Sequence, residues 1–522
     1  MNQTGLSQVI YWTDRTLNIW ADGILPSMPS PPPQIASPPR ETMSREASGA
    51  SVSSAPVPEP ERQQGQGNQG EEAGSTPLEK VSDKVEELYS LRDTFFPRDP
   101  SEKSASLRAC ADAALGVLDS LPPEQRKSPE ERVIYEFLMG KILDAFPDYC
   151  KEAEEHLSKA VKLNPSLVDA WLCLGNCIWK KGNLASARNC FLLALSKGAD
   201  KKILCQLSML ERSMAQSSED QALLVEESIN HAKEAVMLDI KDGNSWYNLG
   251  NAYLTSFFAS VAWDKARLHH SIKAYQNAEK DETMKLNPDL YYNCATAYKY
   301  LENYESALRG YEAAALKDPA LRADIEVQKI INLLDKLENA TKVPSVTIGR
   351  LRPKRSASLV SSLNEVNCNT LFGTANIEVV YCVKIVLLLF NFSLYAIIVK
   401  LFHKKATISI LSGGLNKTVA VVCKVVLWIR HDDDAPLYYL TCDLDQSYFI
   451  LSVYGLQNEA IKEGDRVVLL EPYYKILDIS WKEQRYKFKS IRVDFPEQII
   501  INEKAPAAHQ VARASIRAQH KP

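Results

Sequence analysis

Eleven cysteines and eight histidines are the side chains in this chain that could hold a metal or supply a nucleophile. Their spacing points away from both. There is no CxxC pair, and the tightest pair, Cys173 and Cys177, stands one helical turn apart rather than in a metal knuckle. Scattered thiols of this kind suit a reducing compartment. The histidines show no metal-ligand spacing, and no glycine-rich phosphate loop, HExxH or GxSxG occurs, so neither an enzyme nor a cofactor is expected. Net charge is −4 with a pI near 6.2, and that balance does not call for nucleic acid. Two local features carry binding chemistry. The run GRLRPKR places Arg350, Arg352, Lys354 and Arg355 together. Such a run suits a phosphate backbone, a nuclear-localisation signal, or plain solvated charge. Trp428, Tyr448, Phe449 and Tyr454 could stack on single-stranded bases, although alternating aromatics in a strand-rich segment are more often core.

These residues need elements to position them. Residues 1–80 are rich in Pro, Ser, Gly, Gln and Glu and bury too little apolar surface to offset the entropy of ordering, so a disordered extension is expected. Within it PPPQIASPPR is a candidate ligand for an SH3 or WW groove. Asp14 precedes any apolar core and no basic leader is present, so no secretory signal is expected. From Val81 apolar residues recur at three and four, beginning with Val85, Leu88, Tyr89 and Leu91 before Pro97, and helix follows helix to about 340. The stretch DAWLCLGNCIWKKGNLASARNCFLLAL carries Trp171, Leu174, Gly175, Ile178, Ala187, Phe191 and Ala194 at the spacings of the 34-residue tetratricopeptide unit. Trp246, Leu249, Gly250 and Tyr253 repeat the order. Tyr291, Ala295, Tyr298, Ala307, Tyr311, Ala314 and Pro319 repeat it again. The expectation for 81–340 is a superhelix of stacked helix pairs, small residues allowing close approach and aromatics filling between units. A unit near 202–235 is degenerate, and 255–268 reads as an insertion.

Residues 341–404 form a basic linker interrupted by an apolar run. From 379 to 402 only Lys384, Asn391, Ser393 and Lys400 break it, which is long enough to cross a bilayer as a helix. The alternatives are a buried segment or translated intron sequence. From 405 the period changes to two, and five runs (TVAVVCKVVLWIR, APLYYLTCDL, SYFILSVYGL, DRVVLLEPYY, YKFKSIRVDF) predict a small all-β barrel of the OB-fold type over 405–500. Residues 501–522 read as a flexible tail. The fold class is therefore multi-domain, an all-α tetratricopeptide superhelix followed by an OB-fold barrel.

The two modules in this order resemble the Strap family of stress-responsive repeat proteins. The resemblance is carried by ELYSLRDTFF, LSKAVKLNPSLVDAW, WKKGN, LSML, DGNSWYNLGNAYL, LNPDL, AIKEGDRVVLLEP and FKSIRV, and covers about 82–345 and 405–500. It implies an adaptor with two roles. One is nuclear, bridging transcriptional co-activators that include a histone acetyltransferase, with chromatin contact through the barrel. The other is cytosolic, receiving the N-terminal peptide of nascent tubulin at the ribosome and triggering decay of its message (tubulin autoregulation). The resemblance places Arg212 against the peptide's acidic residue, Asp289 against its basic residue, and Arg352, Lys354 and Arg355 against the ribosome. A guanidinium pairing with a carboxylate, and a carboxylate opposite taking a cation, is sound chemistry for such a groove. Simpler roles are a surface position for Arg212 and a helix cap for Asp289. Residues 1–80 and about 368–404 have no counterpart in the family. Two other binding classes compete. A chaperone co-factor clamping a C-terminal carboxylate would use Asn176 and Asn251 but lacks partner lysines; a single-strand nucleic-acid binder would use the barrel. Cytoplasm and nucleus are the expected compartments, with membrane attachment the alternative.

Overall fold

The computed structural model describes residues 77–122, 128–215, 220–259, 264–342, 403–433 and 435–511. Of the disordered extension expected for 1–80, residues 1–76 lie outside these, as do the run 379–402, Arg352, Lys354, Arg355 and the last eleven residues; residues 77–80 are instead the first turn of a helix. Among the described residues no helix is long and apolar enough to cross a membrane.

Among the described residues, thirteen helices occupy the N-terminal part. They are α1 (Pro77–Thr94), α2 (Pro100–Asp119), α3 (Pro129–Leu143), α4 (Lys151–Leu163), α5 (Val168–Lys180), α6 (Leu184–Leu195) and α7 (Lys201–Ala215). After them come α8 (Gln221–Leu238), α9 (Gly243–Ala259), α10 (Lys265–Ala278), α11 (Pro288–Tyr300), α12 (Tyr304–Lys317) and α13 (Ala323–Lys342). The repeat is visible in its caps. Asn183 accepts from the Ser186 amide at the start of α6, and Asn303 accepts from the Ser306 amide at the start of α12, each satisfying an orphan N–H. Trp171 donates its indole N–H to the Pro165 carbonyl at 3.0 Å, and Trp246 donates to Ile240 at 2.9 Å, six residues back in both.

Within a pair the helices touch at the small residues. A Cβ placed on Gly175 would stand 2.4 Å from the Phe191 ring, and one on Gly250 would stand 2.4 Å from Tyr275. The stack has an inner layer. The odd-numbered helices α3, α5, α7, α9 and α11 each pack on their own partner, and α3 also meets α5, α7 meets α9 and α9 meets α11 across the units. The degenerate unit (α7 and α8) keeps this arrangement.

The C-terminal part contains β1 (Lys404–Ala406), β2 (Gly414–Leu415), β3 (Val419–Ile429), β4 (Leu437–Asp443), β5 (Tyr448–Val453), β6 (Arg466–Leu470), β7 (Tyr473–Trp481), β8 (Gln484–Val493) and β9 (Ile499–Ile501). The sheet order is β2-β7-β8-β5-β4-β3-β6-β9, with β1 added to β3. Pairing is antiparallel except at β5–β8 and β1–β3. Strand β3 pairs with β6 through its first half and with β4 through its second, with a register break between Val425 and Leu427. One long, bent strand shared by two halves is how an OB-type sheet curls on itself. Its interior holds Val421, Cys423, Val425, Tyr439, Phe449, Leu451 and Ile491. Strand β7 was not separated in the sequence, where its first residues were read as the end of the strand before. Residues 501–511, expected within the tail, pack on the barrel: Leu456 pairs with Val511, and the Gln457 amide donates to the Gln510 carbonyl.

Every residue of β4 is buried, because the barrel uses both faces there. Tyr439 points into the barrel, while Tyr438 and Leu440 join Ile450 and Phe488 against Tyr304, Leu308, Leu333, Leu334 and Leu337 of the last helices. Helices and barrel thus share one core.

Candidate functional site: the polar inner face of the repeats

Arg212 lies in the last turn of α7, where helical period alone gives no sign of burial. It is 2% exposed. Its Nη1 donates to the Ser208 hydroxyl at 2.8 Å and to Ser228 on α8 at 3.4 Å, and the two hydroxyls are 3.0 Å apart. The surface position considered for Arg212 is excluded by this burial. Beside it the Glu211 carboxylate, fully buried, is bonded by Arg188 Nη2 at 3.2 Å and His231 Nδ1 at 2.8 Å. Arg188 also reaches Glu227 at 3.1 Å. The hydrogen bond to Glu211 outweighs burial and raises the His231 pKa above the ordinary imidazole value.

Asp289 stands in the first turn of α11 and is 4% exposed. It is not the cap of that helix, since Asn287 accepts from the Asp289 amide at 2.9 Å. Between Arg212 and Asp289 in the inner layer runs α9. Its Asn251 Oδ1 accepts from Tyr275 Oη at 2.6 Å and from Asn293 Nδ2 of α11 at 3.2 Å. That oxygen is therefore engaged within the stack. The structure places Arg212 and Asp289 on inner helices with one helix pair between their own, and a polar seam of amides and hydroxyls lies between them.

Sequence reasoning missed the charged end of this layer. Lys299, in the last turn of α11, pairs with Asp433 of the β3–β4 loop at 2.7 Å and with Glu326 of α13 at 3.0 Å. Burial alone would lower the Lys299 pKa, but the two carboxylates reverse this and raise it. At the α11–α12 turn, Glu302 takes Lys475 at 2.8 Å and Arg492 at 3.7 Å, and Arg492 also holds Asp494. Burial pushes the Glu302 carboxyl up, yet these cations bring it down to about 2. Arg492 Nη1 donates to the Tyr300 carbonyl at 2.6 Å, and Tyr304 and Tyr438 share a hydroxyl–hydroxyl bond. The pairs that cross from repeats to barrel join residues more than a hundred positions apart, so no local pattern could reveal them.

The barrel aromatics divide. Phe449 and Tyr454 are fully buried, and the Tyr454 hydroxyl donates to the Tyr300 carbonyl at 3.3 Å. Trp428 and Tyr448 are half-buried, with Arg430 stacked on Trp428 at 4.6 Å. Among the described residues no group of three or more His, Cys, Asp or Glu could hold a metal ion.

Residues 402–515 match the family model described as the tetratricopeptide repeat protein 5 OB fold domain. Over the longer span the chain is 32% identical to bovine tetratricopeptide repeat protein 5 across 446 residues, covering 84% of this chain and 96% of that one. The human protein of the same name is 32% identical over 447 residues, covering 84% and 96%. Among solved structures, the repeat protein YrrB, titled as having an unusual peptide-binding site, aligns at TM-score 0.29 and 20% identity, covering 39% of this chain and 97% of that one. A thermophilic repeat protein of Thermus thermophilus aligns at TM-score 0.31 and 16% identity, covering 40% and 98%.

Proposed function

Since this chain belongs to the tetratricopeptide repeat protein 5 family, we propose that it is an adaptor whose inner face binds a short peptide carrying one acidic and one basic residue, the nascent tubulin N-terminus being the ligand. The supporting observation is Arg212. A guanidinium at 2% exposure, held between two serine hydroxyls, is desolvated and oriented before any ligand arrives. Such a cation gains more from a peptide carboxylate than a flexible surface arginine does, because little ordering remains to be done. Asp289, buried on α11, takes the basic residue. In this reading Arg352, Lys354 and Arg355, carried on the linker, supply the salt-sensitive phosphate contacts to the ribosome.

The barrel as a single-strand binder finds less support. The outer side of β4 and β5, where an OB fold usually offers stacking aromatics, faces α12 and α13 and is buried.

The test is titration of the full chain with a labelled tubulin N-terminal peptide. A charge-assisted hydrogen bond contributes about 1.5–3 kcal/mol, so Arg212→Ala should weaken binding by roughly 10- to 100-fold. Equal affinity for wild type and Arg212→Ala would remove Arg212 from the site.

A further inference from the structure

Counted from the first residue of their helices, Arg212 in α7, Leu254 in α9 and Lys299 in α11 hold the same twelfth place. Two of these three inner-layer positions are cations. The groove reading gives Arg212 to a ligand carboxylate; Lys299 already has two, Glu326 of α13 at 3.0 Å and one from the barrel. Asp433 stands 2.7 Å from Lys299 Nζ. The loop that carries it is shaped for this. The Asp433 amide donates to His431 Nδ1 at 3.2 Å, His431 Nε2 donates to the Pro436 carbonyl at 2.7 Å, and the ring lies edge-on to Tyr438 at 5.0 Å. Tyr438 is in turn bonded to Tyr304 at the head of α12. The neighbouring Asp432 is exposed and has no such support.

We propose that the β3–β4 loop is a built-in ligand, Asp433 occupying the last cation of the inner layer and so setting where an incoming peptide must stop. This rests on the groove reading above. The ligand read by α7 to α11 is then a short segment with acidic character facing Arg212, and a peptide carrying further carboxylates past α11 meets a lysine that is already taken. Like charge between Asp433 and such a peptide also works against it, which is selection by repulsion as well as by fit.

The experiment uses the full chain and three labelled probes: the tubulin N-terminal peptide, and the same peptide extended by three glutamates at either end. Wild type should bind the parent peptide best. Asp433→Asn, which keeps size and leaves Lys299 with Glu326 as its one carboxylate, should leave the parent affinity unchanged and raise that of one extended probe by about fivefold or more. Adding Lys299→Met should abolish the gain, and Asp432→Asn alone should produce none. A gain that survives Lys299→Met, or none for either extended probe, overturns the proposal while leaving the groove intact. Failure of the parent peptide to bind wild type removes the groove reading and this inference together. Unchanged thermal melting of Asp433→Asn separates a lysine open to a second carboxylate from an undocked barrel.

Discussion

At His231 a neighbouring carboxylate decides the protonation state. The hydrogen bond to Glu211 raises the pKa above the unfolded value of about 6.5, against burial and against Arg188. A raised imidazole stabilises the fold fully below about pH 6.5, and that contribution disappears as pH rises through the folded value. Denaturant unfolding of wild type and His231→Gln should therefore differ most near pH 6 and converge by about pH 9. A gap of constant size across that range would mean that the pair is not titrating. The same corner shows why residue roles were only partly legible. Arg212 and Asp289 were named from resemblance, but nothing in LSMLER or LNPDL announces burial. What buries Arg212 is Ser228, on the next helix beyond a polar loop.

At the scale of elements, the repeat was legible because its packing rule is local. A small residue on the first helix and an aromatic on the second recur from unit to unit, farther apart where residues are inserted, and the structure brings them into contact at Gly175–Phe191 and Gly250–Tyr275. Gly175→Ala tests that rule. Alanine favours a helix by about 1 kcal/mol, yet its Cβ would fall 2.4 Å from a ring that is fully buried. Overpacking typically costs about 1–3 kcal/mol, so the melting temperature should fall, and Phe191→Leu in the same chain should recover part of the loss. A melting temperature equal to or above wild type would show that the helix pair opens to admit a methyl. Strand β7 was illegible for a related reason. KILDISW alternates, but Pro472 sits one residue before the strand while no turn residue separates YY from KILDISW, so its head was absorbed into the strand before. The fold needed all nine residues of β7 to pair with β8, and only tertiary pairing reveals that.

On the scale of the whole molecule, the order of the two modules was readable and their union was not. A solenoid needs its last apolar face covered, and here the barrel covers α12 and α13. Charges set the register of that contact. Glu302 is 4% exposed and lies against Lys475 and Arg492 across the junction. Removing its charge takes the carboxylate from Lys475 and leaves Arg492 with Asp494 alone, and breaking a buried pair costs about 3–5 kcal/mol. Linkage gives a figure of the same order. A carboxyl at about 2 in the fold against about 4.3 unfolded corresponds to roughly 3 kcal/mol. Because the folded value is the lower one, this stability is present above about pH 4.3 and is lost as pH falls towards 2. Glu302→Gln should therefore lower stability at pH 7 and flatten the acid limb of the stability curve. Amide exchange would locate the effect, with faster exchange at α11, α12 and β8 together and little change at α1 to α6. Fast exchange confined to the barrel would instead mean that the repeats hold their last pair without it, and that the ion pairs orient the junction rather than stabilise it.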